Sequence, residues 1–216
     1  MNPFPVILSS PSGGGKTTIA KQLMKLRTDV GYSVSCTTRL PRSGEVDGRD
    51  YYFLSIGEML AARERGEFAE SAEVHGKMYG TLRREVDRVL GSGRHVLMDI
   101  DVQGARQFVK AFPRSVLVFV LPPSVEVLMT RLMARKSETH EALRIRLRSA
   151  LNELQAIDEY DYVVVNDGLD HAVAAVSSII DAETHRRDRK DGIGKQVKAL
   201  VDELTREIDK RSGREG

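Results

Sequence analysis

The run Ser9-Ser-Pro-Ser-Gly-Gly-Gly-Lys-Thr17 carries the clearest chemistry in the sequence. It follows a short apolar run, Val6-Ile7-Leu8, and precedes Ile19, Leu23, Met24 and Leu26, which repeat at helical spacing. A strand, a glycine-rich loop ending in Lys-Thr and then a helix is the pattern of a phosphate-binding loop. Glycines let backbone N–H groups turn inward toward an anion, and the helix N-terminus adds partial positive charge. Lys16 supplies a full charge for β- and γ-phosphates, and the Thr17 hydroxyl suits Mg²⁺. The loop therefore predicts a bound nucleoside triphosphate, held by Ser10, Pro11, Ser12, Gly13, Gly14, Gly15, Lys16, Thr17 and Thr18. Ser10 stands where the usual pattern begins with glycine. We expect it to be tolerated at a small cost in backbone freedom.

A triphosphate site does not say what receives the phosphate. Arg39 and Arg42 lie three residues apart in a turn-rich segment restricted by Pro41 and Gly44. Two guanidinium forks suit a dianionic phosphate better than two ammonium groups. Asp99 ends the apolar run Val96-Leu97-Met98, the place of an acid that acts on Mg²⁺ directly or through water. Arg131 and Arg135 form an i,i+4 pair of like charges, which repel mildly unless an anion lies between them. Each feature has a plainer reading: a solvated arginine loop, or a charged helix face.

The elements that position these groups read as an α/β fold. Val6–Ser9, Val96–Ile100, Val116–Leu121 and Tyr162–Val165 are short apolar runs bounded by turn residues, as in buried parallel strands. Helical patterns lie near 16–27, 82–91, 102–111, 124–134 and 139–157. The alternation predicts a parallel sheet covered by helices on both faces. Residues 33–81 break the rhythm. Ser33-Val34-Ser35 and Asp50-Tyr51-Tyr52-Phe53 read as strands, followed by a helix near 56–66 and an extended piece near 68–80. This predicts a small α+β insertion on the parent sheet. Beyond Ala182 the chain is highly charged, and Ile193, Val197, Leu200, Val201, Leu204 and Ile208 follow a helical period. A terminal helix there is expected to pack on the body or on another subunit.

Taken in order, Thr37-Thr-Arg39-x-x-Arg42-x-Gly-Glu45, Asp50-Tyr51, Met78-Tyr79-Gly80-Thr81 and Asp99-Ile-Asp101-Val-Gln-Gly104 resemble guanylate kinases. Pro122-Pro123-Ser124, Arg131-xxx-Arg135 and Val165-Asn166-Asp167 extend the resemblance over residues 4–185. The resemblance implies a single domain over 1–216: a core of 1–32, 93–130 and 159–216, a GMP-binding insertion of 33–92, and an Arg-rich helical lid of 131–158. It implies that Arg39 and Arg42 hold the GMP phosphate with hydroxyls from Tyr51 and Tyr79, and that Glu45 braces the arginines. Ser35, Glu70, Thr81 and Asp101 would face the guanine. That assignment is chemically sensible, because guanine presents N1–H and N2–H₂ donors to carboxylates and an O6 acceptor to a hydroxyl. Arg131, Arg135 and Arg146 would approach the transferring phosphoryl group, and Asn166 and Asp167 the adenine side. Lys16, Arg39, Arg131, Arg135 and Arg146 are thereby the expected catalytic set, with Thr17 and Asp99 on Mg²⁺.

The implied reaction is phosphoryl transfer from MgATP to GMP, giving ADP and GDP, in purine nucleotide metabolism. Such a transfer needs no strong base, because the attacking phosphate oxygen is already anionic. The plainer readings stay open at Glu70, a helix-end acid, and at Thr81, a helix cap. Two rival functions also stand: a kinase of another small acceptor such as a ribose phosphate, and a non-catalytic phosphopeptide-binding module of the same shape.

Composition bounds the rest. The chain has 216 residues, 33 Lys plus Arg against 31 Asp plus Glu, and 41% hydrophobic residues. That balance gives no reason to expect a nucleic-acid partner. Its single cysteine, Cys36, excludes a disulfide within the chain and reads as a small core residue in a reducing compartment. Apolar runs are too short to span a bilayer, so no membrane association is expected, and cytoplasm is the default compartment. A homo-oligomer through the C-terminal helix is the one protein contact the sequence suggests.

Overall fold

The computed structural model describes residues 2–74, 76–133 and 140–212. Nine strands and eight helices run in the order β1 (Pro5–Ser9), α1 (Lys16–Leu26), β2 (Val30–Tyr32), β3 (Cys36–Thr37), β4 (Tyr52–Phe53), α2 (Ile56–Glu64), β5 (Phe68–Val74), β6 (Lys77–Leu82), α3 (Arg83–Gly91), β7 (His95–Asp99), α4 (Val102–Ala111), β8 (Val116–Leu121), α5 (Val125–Met133), α6 (His140–Leu154), β9 (Tyr162–Val165), α7 (Leu169–Thr184) and α8 (Ile193–Ser212) among the described residues.

Five strands form a wholly parallel sheet in the order β2-β7-β1-β8-β9. Its central strand β1 is buried along its whole length, which explains the unbroken apolar run of the sequence. The pleat divides that run between two cores. Val6 and Leu8 join Ile19, Leu23, Val118, Val176 and Ile180 on the side of α1 and α7. Ile7 points the other way, to Val86, Val89, Met98 and Phe108 on the side of α3 and α4. The chain is thus a parallel α/β sheet with helices on both faces, as expected.

Residues 36–82 build a second sheet of order β4-β3-β6-β5. A β5–β6 hairpin supplies most of it, with a register shift between Phe68 and Glu70. Beneath it Cys36, Met59, Ala62, Phe68 and Leu82 form a separate small core. Cys36 is fully buried, the core role the sequence assigns it. The expected strands shift here. Val30–Tyr32 and Cys36–Thr37 are extended instead of Ser33–Ser35, and of the Asp50–Phe53 run Tyr52–Phe53 forms the strand while Tyr51 makes an isolated bridge with Asp47. The single extended piece expected over 68–80 is two strands around a turn.

Helix α7 was not marked by the sequence reading, although Leu169, Val173, Val176 and Ile180 carry a helical period. Helix α8 does form, but every described side chain along it is exposed, so it does not pack on the body. Among the described residues no helix is long and apolar enough to cross a membrane.

Candidate functional site

The site begins where β1 turns into α1. Ser10 is buried, and its hydroxyl donates to the Pro11 carbonyl at 3.1 Å. That carbonyl also accepts the Gly14 N–H at 2.7 Å, closing a tight turn. The left-handed backbone falls on Gly13 and Gly15, at φ 85° and 98°, where glycine carries no steric cost. Gly14 is tied to glycine differently: a Cβ there would lie 2.6 Å from the Ser10 Cβ. Gly15 caps α1 without any side-chain hydrogen bond, and the first turn has no acid. The Thr18 N–H is taken by the Gly15 carbonyl at 3.1 Å, which leaves the Lys16 and Thr17 N–H groups for an anion. Lys16 is the first residue of α1 and Thr18 lies exposed in its first turn.

Three distant segments close around this loop. Asn166, just past β9 and buried, donates its amide to the Gly14 carbonyl at 2.8 Å. Arg131, in the last turn of α5, donates to the carbonyls of Gly14 at 3.3 Å and Asn166 at 3.2 Å. Arg146 of α6 is only 7% exposed, and its guanidinium donates to the Ser12 hydroxyl at 3.1 and 3.3 Å. The structure so brings Arg131, Arg146 and Asn166 to the loop. Asp167 is not brought there; it is exposed and faces His171 at 3.3 Å. Arg135 lies outside the described residues.

Glu153 is a neighbour of the loop that sequence reasoning missed. Its carboxylate accepts the Ser12 N–H at 3.0 Å, and burial raises its pKa above the ordinary glutamate value. Its only signal in the sequence is an acid at the far end of an arginine-rich helix.

Thr17 Oγ1 donates to Asp99 Oδ2 at 2.5 Å, so the two expected metal residues adjoin. Tyr32, also missed, donates its hydroxyl to Asp99 Oδ1 at 2.8 Å, and burial pushes its own pKa well up. A hydroxyl and a carboxylate are hard oxygen donors. Among the described residues no cluster of three His, Cys, Asp or Glu groups could hold an ion unaided. That donor set fits Mg²⁺, which takes one or two carboxylates and fills its remaining positions with water and substrate phosphate.

The second sheet carries the other half. Arg39, just past β3, pairs with both oxygens of Glu45 at 2.7 Å, and Glu45 also accepts the Arg42 N–H at 2.7 Å. This holds the Glu45 pKa down to about 2, chiefly through the Arg39 hydrogen bonds, and raises that of Arg39. The Arg39 guanidinium lies 5.1 Å from the Tyr51 ring centroid and 5.7 Å from that of Phe53, an aromatic cradle of which only Tyr51 was expected. Tyr79 stands beside Tyr51, ring centroids 6.2 Å apart. Tyr52 turns the other way and donates to Glu85, which leaves Tyr51 for the site. The Arg42 side chain is exposed.

Glu70 ends this wall. It is 6% exposed, and its Oε1 accepts the Thr81 hydroxyl at 2.7 Å; Ser35 lies 3.5 Å from that hydroxyl. Its second oxygen takes no hydrogen bond among the described residues. Asp101 caps α4 through the Gly104 N–H at 2.7 Å, and a Cβ on Gly104 would meet Glu70 Oε2 at 3.1 Å and Asp101 Oδ1 at 3.4 Å. The two acids therefore converge on Gly104. Burial first, and the Asp101 charge next among the raising effects, lift the Glu70 pKa above the ordinary glutamate value. Thr81 precedes α3 without capping it, since the cap position is Leu82.

A phosphate loop with hard-oxygen metal donors and a second wall of paired arginines and buried acids is the layout of a two-substrate phosphotransferase. Comparison with known proteins agrees. Residues 2–183 match the guanylate kinase family model. A guanylate kinase of Rhizobium meliloti is 44% identical over 199 residues, 92% of this chain and 91% of the relative. One of Paramagnetospirillum magneticum is 48% identical over 87% of this chain and 88% of its own. The crystal structure of guanylate kinase from Anaplasma phagocytophilum covers 91% of this chain and 94% of its own, with a TM-score of 0.75 and 33% identity. By its loop, its second wall and these likenesses, the chain belongs to the guanylate kinase family.

Proposed function

We propose that this chain transfers the γ-phosphoryl group of ATP to GMP in the cytoplasm, with residues 33–92 binding GMP and 131–158 acting as a lid. The observation that carries the GMP assignment is the free oxygen of buried Glu70, beside Asp101 and fixed by Thr81. Two acids at that place accept the N1–H and N2–H₂ donors of guanine, whereas adenine would leave them facing an acceptor. A site built on such bonds discriminates by about 10⁴-fold.

Arg39, Arg42, Tyr51 and Tyr79 hold the GMP phosphate. Glu45 keeps the Arg39 fork flat and aimed, through its two 2.7 Å bonds. The GMP phosphate oxygen attacks the γ-phosphorus; the new P–O bond forms as the bond to the β-phosphate oxygen breaks, and ADP leaves. No base is required. Lys16 and the loop N–H groups hold the β- and γ-phosphates. Arg131, Arg135 and Arg146 cancel charge as it spreads over the phosphoryl oxygens and, with the lid, keep water out. Thr17 and Asp99 would hold Mg²⁺, which when bound neutralises phosphate charge. Pro11, Thr18 and Asn166 complete the ATP side, without Asp167, which faces His171 instead. Self-association through α8 completes the reading.

The division into two half-sites is tested by Lys16→Met. Turnover should fall at least 100-fold while calorimetric GMP affinity stays within twofold. Loss of GMP binding would contradict the division.

A further inference from the structure

Helix α8 is out of keeping with the rest of the chain. It runs for 20 residues, yet none of its described side chains is buried. Its side-chain hydrogen bonds and ion pair are internal to the helix. Most helical stability in proteins comes from packing an amphipathic face, and α8 has no such packing here. It also lies beyond the family-model match, which ends at residue 183.

Ile193, Val197, Leu200, Val201, Leu204 and Ile208 are each 38% to 63% exposed. At the helical repeat they fall within an arc of about 100°, the width of a core-facing stripe. At about 100 Å² each they expose about 600 Å² of apolar surface, beyond the singly scattered residues a monomer normally shows. Burying two such stripes removes about 1,200 Å², the lower end of a standard interface.

The stripe also has a symmetry. Reversing the helix about the point between Leu200 and Val201 places Ile193 on Ile208, Val197 on Leu204 and Leu200 on Val201. All six positions map onto one another. A surface that is its own complement under reversal is what an isologous two-fold contact requires. Helix α8 as a whole carries five cations and four anions, and it has no aromatic residue. That composition does not suit an anionic lipid surface, which favours a cationic face with aromatic anchors.

We infer that α8 pairs antiparallel with α8 of a second copy of this chain, about a two-fold axis passing between Leu200 and Val201. The inference rests on the self-association of α8 and is independent of the kinase chemistry. The full-length chain should sediment as a dimer at micromolar concentration. Leu204→Glu should sediment as a monomer with GMP turnover within twofold of the unaltered chain. Ile193→Cys and Ile208→Cys, tested singly and mixed after subunit exchange, then fix the direction. The native Cys36 is fully buried and stays silent. Antiparallel pairing gives a disulfide dimer in the mixture and none in either variant alone. A monomeric chain, including one that floats with phosphatidylserine vesicles, overturns self-association. A dimer whose single variants crosslink by themselves overturns only the antiparallel geometry.

Discussion

Replacing Glu70 by glutamine isolates the group that reads the base. The side chain keeps its shape, and one oxygen can still accept the Thr81 hydroxyl held at 2.7 Å. The second position changes from a carboxylate oxygen to an amide NH₂, which faces a guanine donor instead of accepting from it. Hydrogen bonds to a charged partner contribute about 1.5–3 kcal/mol, and a buried donor left unpaired costs a similar amount. At about 1.4 kcal/mol per decade, kcat/KM for GMP should fall between 10- and 100-fold. KM for ATP should stay within twofold, because Glu70 touches no part of the phosphate loop. Fold stability should move the other way. The folded chain raises the Glu70 pKa, chiefly through burial, so it binds this proton more tightly than the unfolded chain does. Stability is therefore lost as pH rises above the ordinary glutamate value of about 4.5. The glutamine variant escapes that loss, so its melting temperature relative to the parent should climb between pH 4.5 and 7. Steady-state kinetics with GMP and ATP varied in turn, and melts across that range, measure both effects. Unchanged GMP kinetics in a folded variant would return Glu70 to a structural role.

Glu153→Ala removes the acceptor of the Ser12 N–H, found at 3.0 Å. It should raise KM for ATP severalfold with little change in KM for GMP, and Glu153→Gln, which keeps an acceptor oxygen, should restore most of the loss; equal defects in both variants would refute a positioning role. His95, the buried first residue of β7, accepts the Phe4 N–H at 3.3 Å and has its pKa lowered by burial. The unfolded chain binds this proton more readily, so stability should fall as pH drops below about 6.5. Urea midpoints between pH 5 and 7 should change less steeply in His95→Asn, and an equal slope would remove His95 as the cause.

How much of this was legible in the sequence follows from what fixes each part. Strands β1 and β8 are buried on both faces, so their apolar runs needed no partner to be recognised. The loop after β1 was legible because it is local, and its glycines sit where positive φ or close approach demands them. Strand β2 escaped because it is three residues long with a central glycine, kept small by Val89, whose Cγ1 would lie 2.6 Å from a Cβ there. The two-residue strands β3 and β4 are fixed by their neighbours' register, not by their own propensity. At the site, Tyr32 and Glu153 reach their partners across 67 and 141 residues of chain, and nothing near them in sequence marks the contact. Asp167 shows the opposite failure: adjacent in sequence to Asn166, it points away while its neighbour is buried against Gly14.

The most direct measurement is the initial rate with MgATP across GMP, AMP, CMP, UMP and ribose 5-phosphate at equal concentration. The convergence of Glu70 and Asp101 beside Gly104, with Thr81 and Ser35 adjoining, predicts that GMP is phosphorylated fastest, by at least 100-fold over AMP. Faster turnover of AMP or of the sugar phosphate would contradict it.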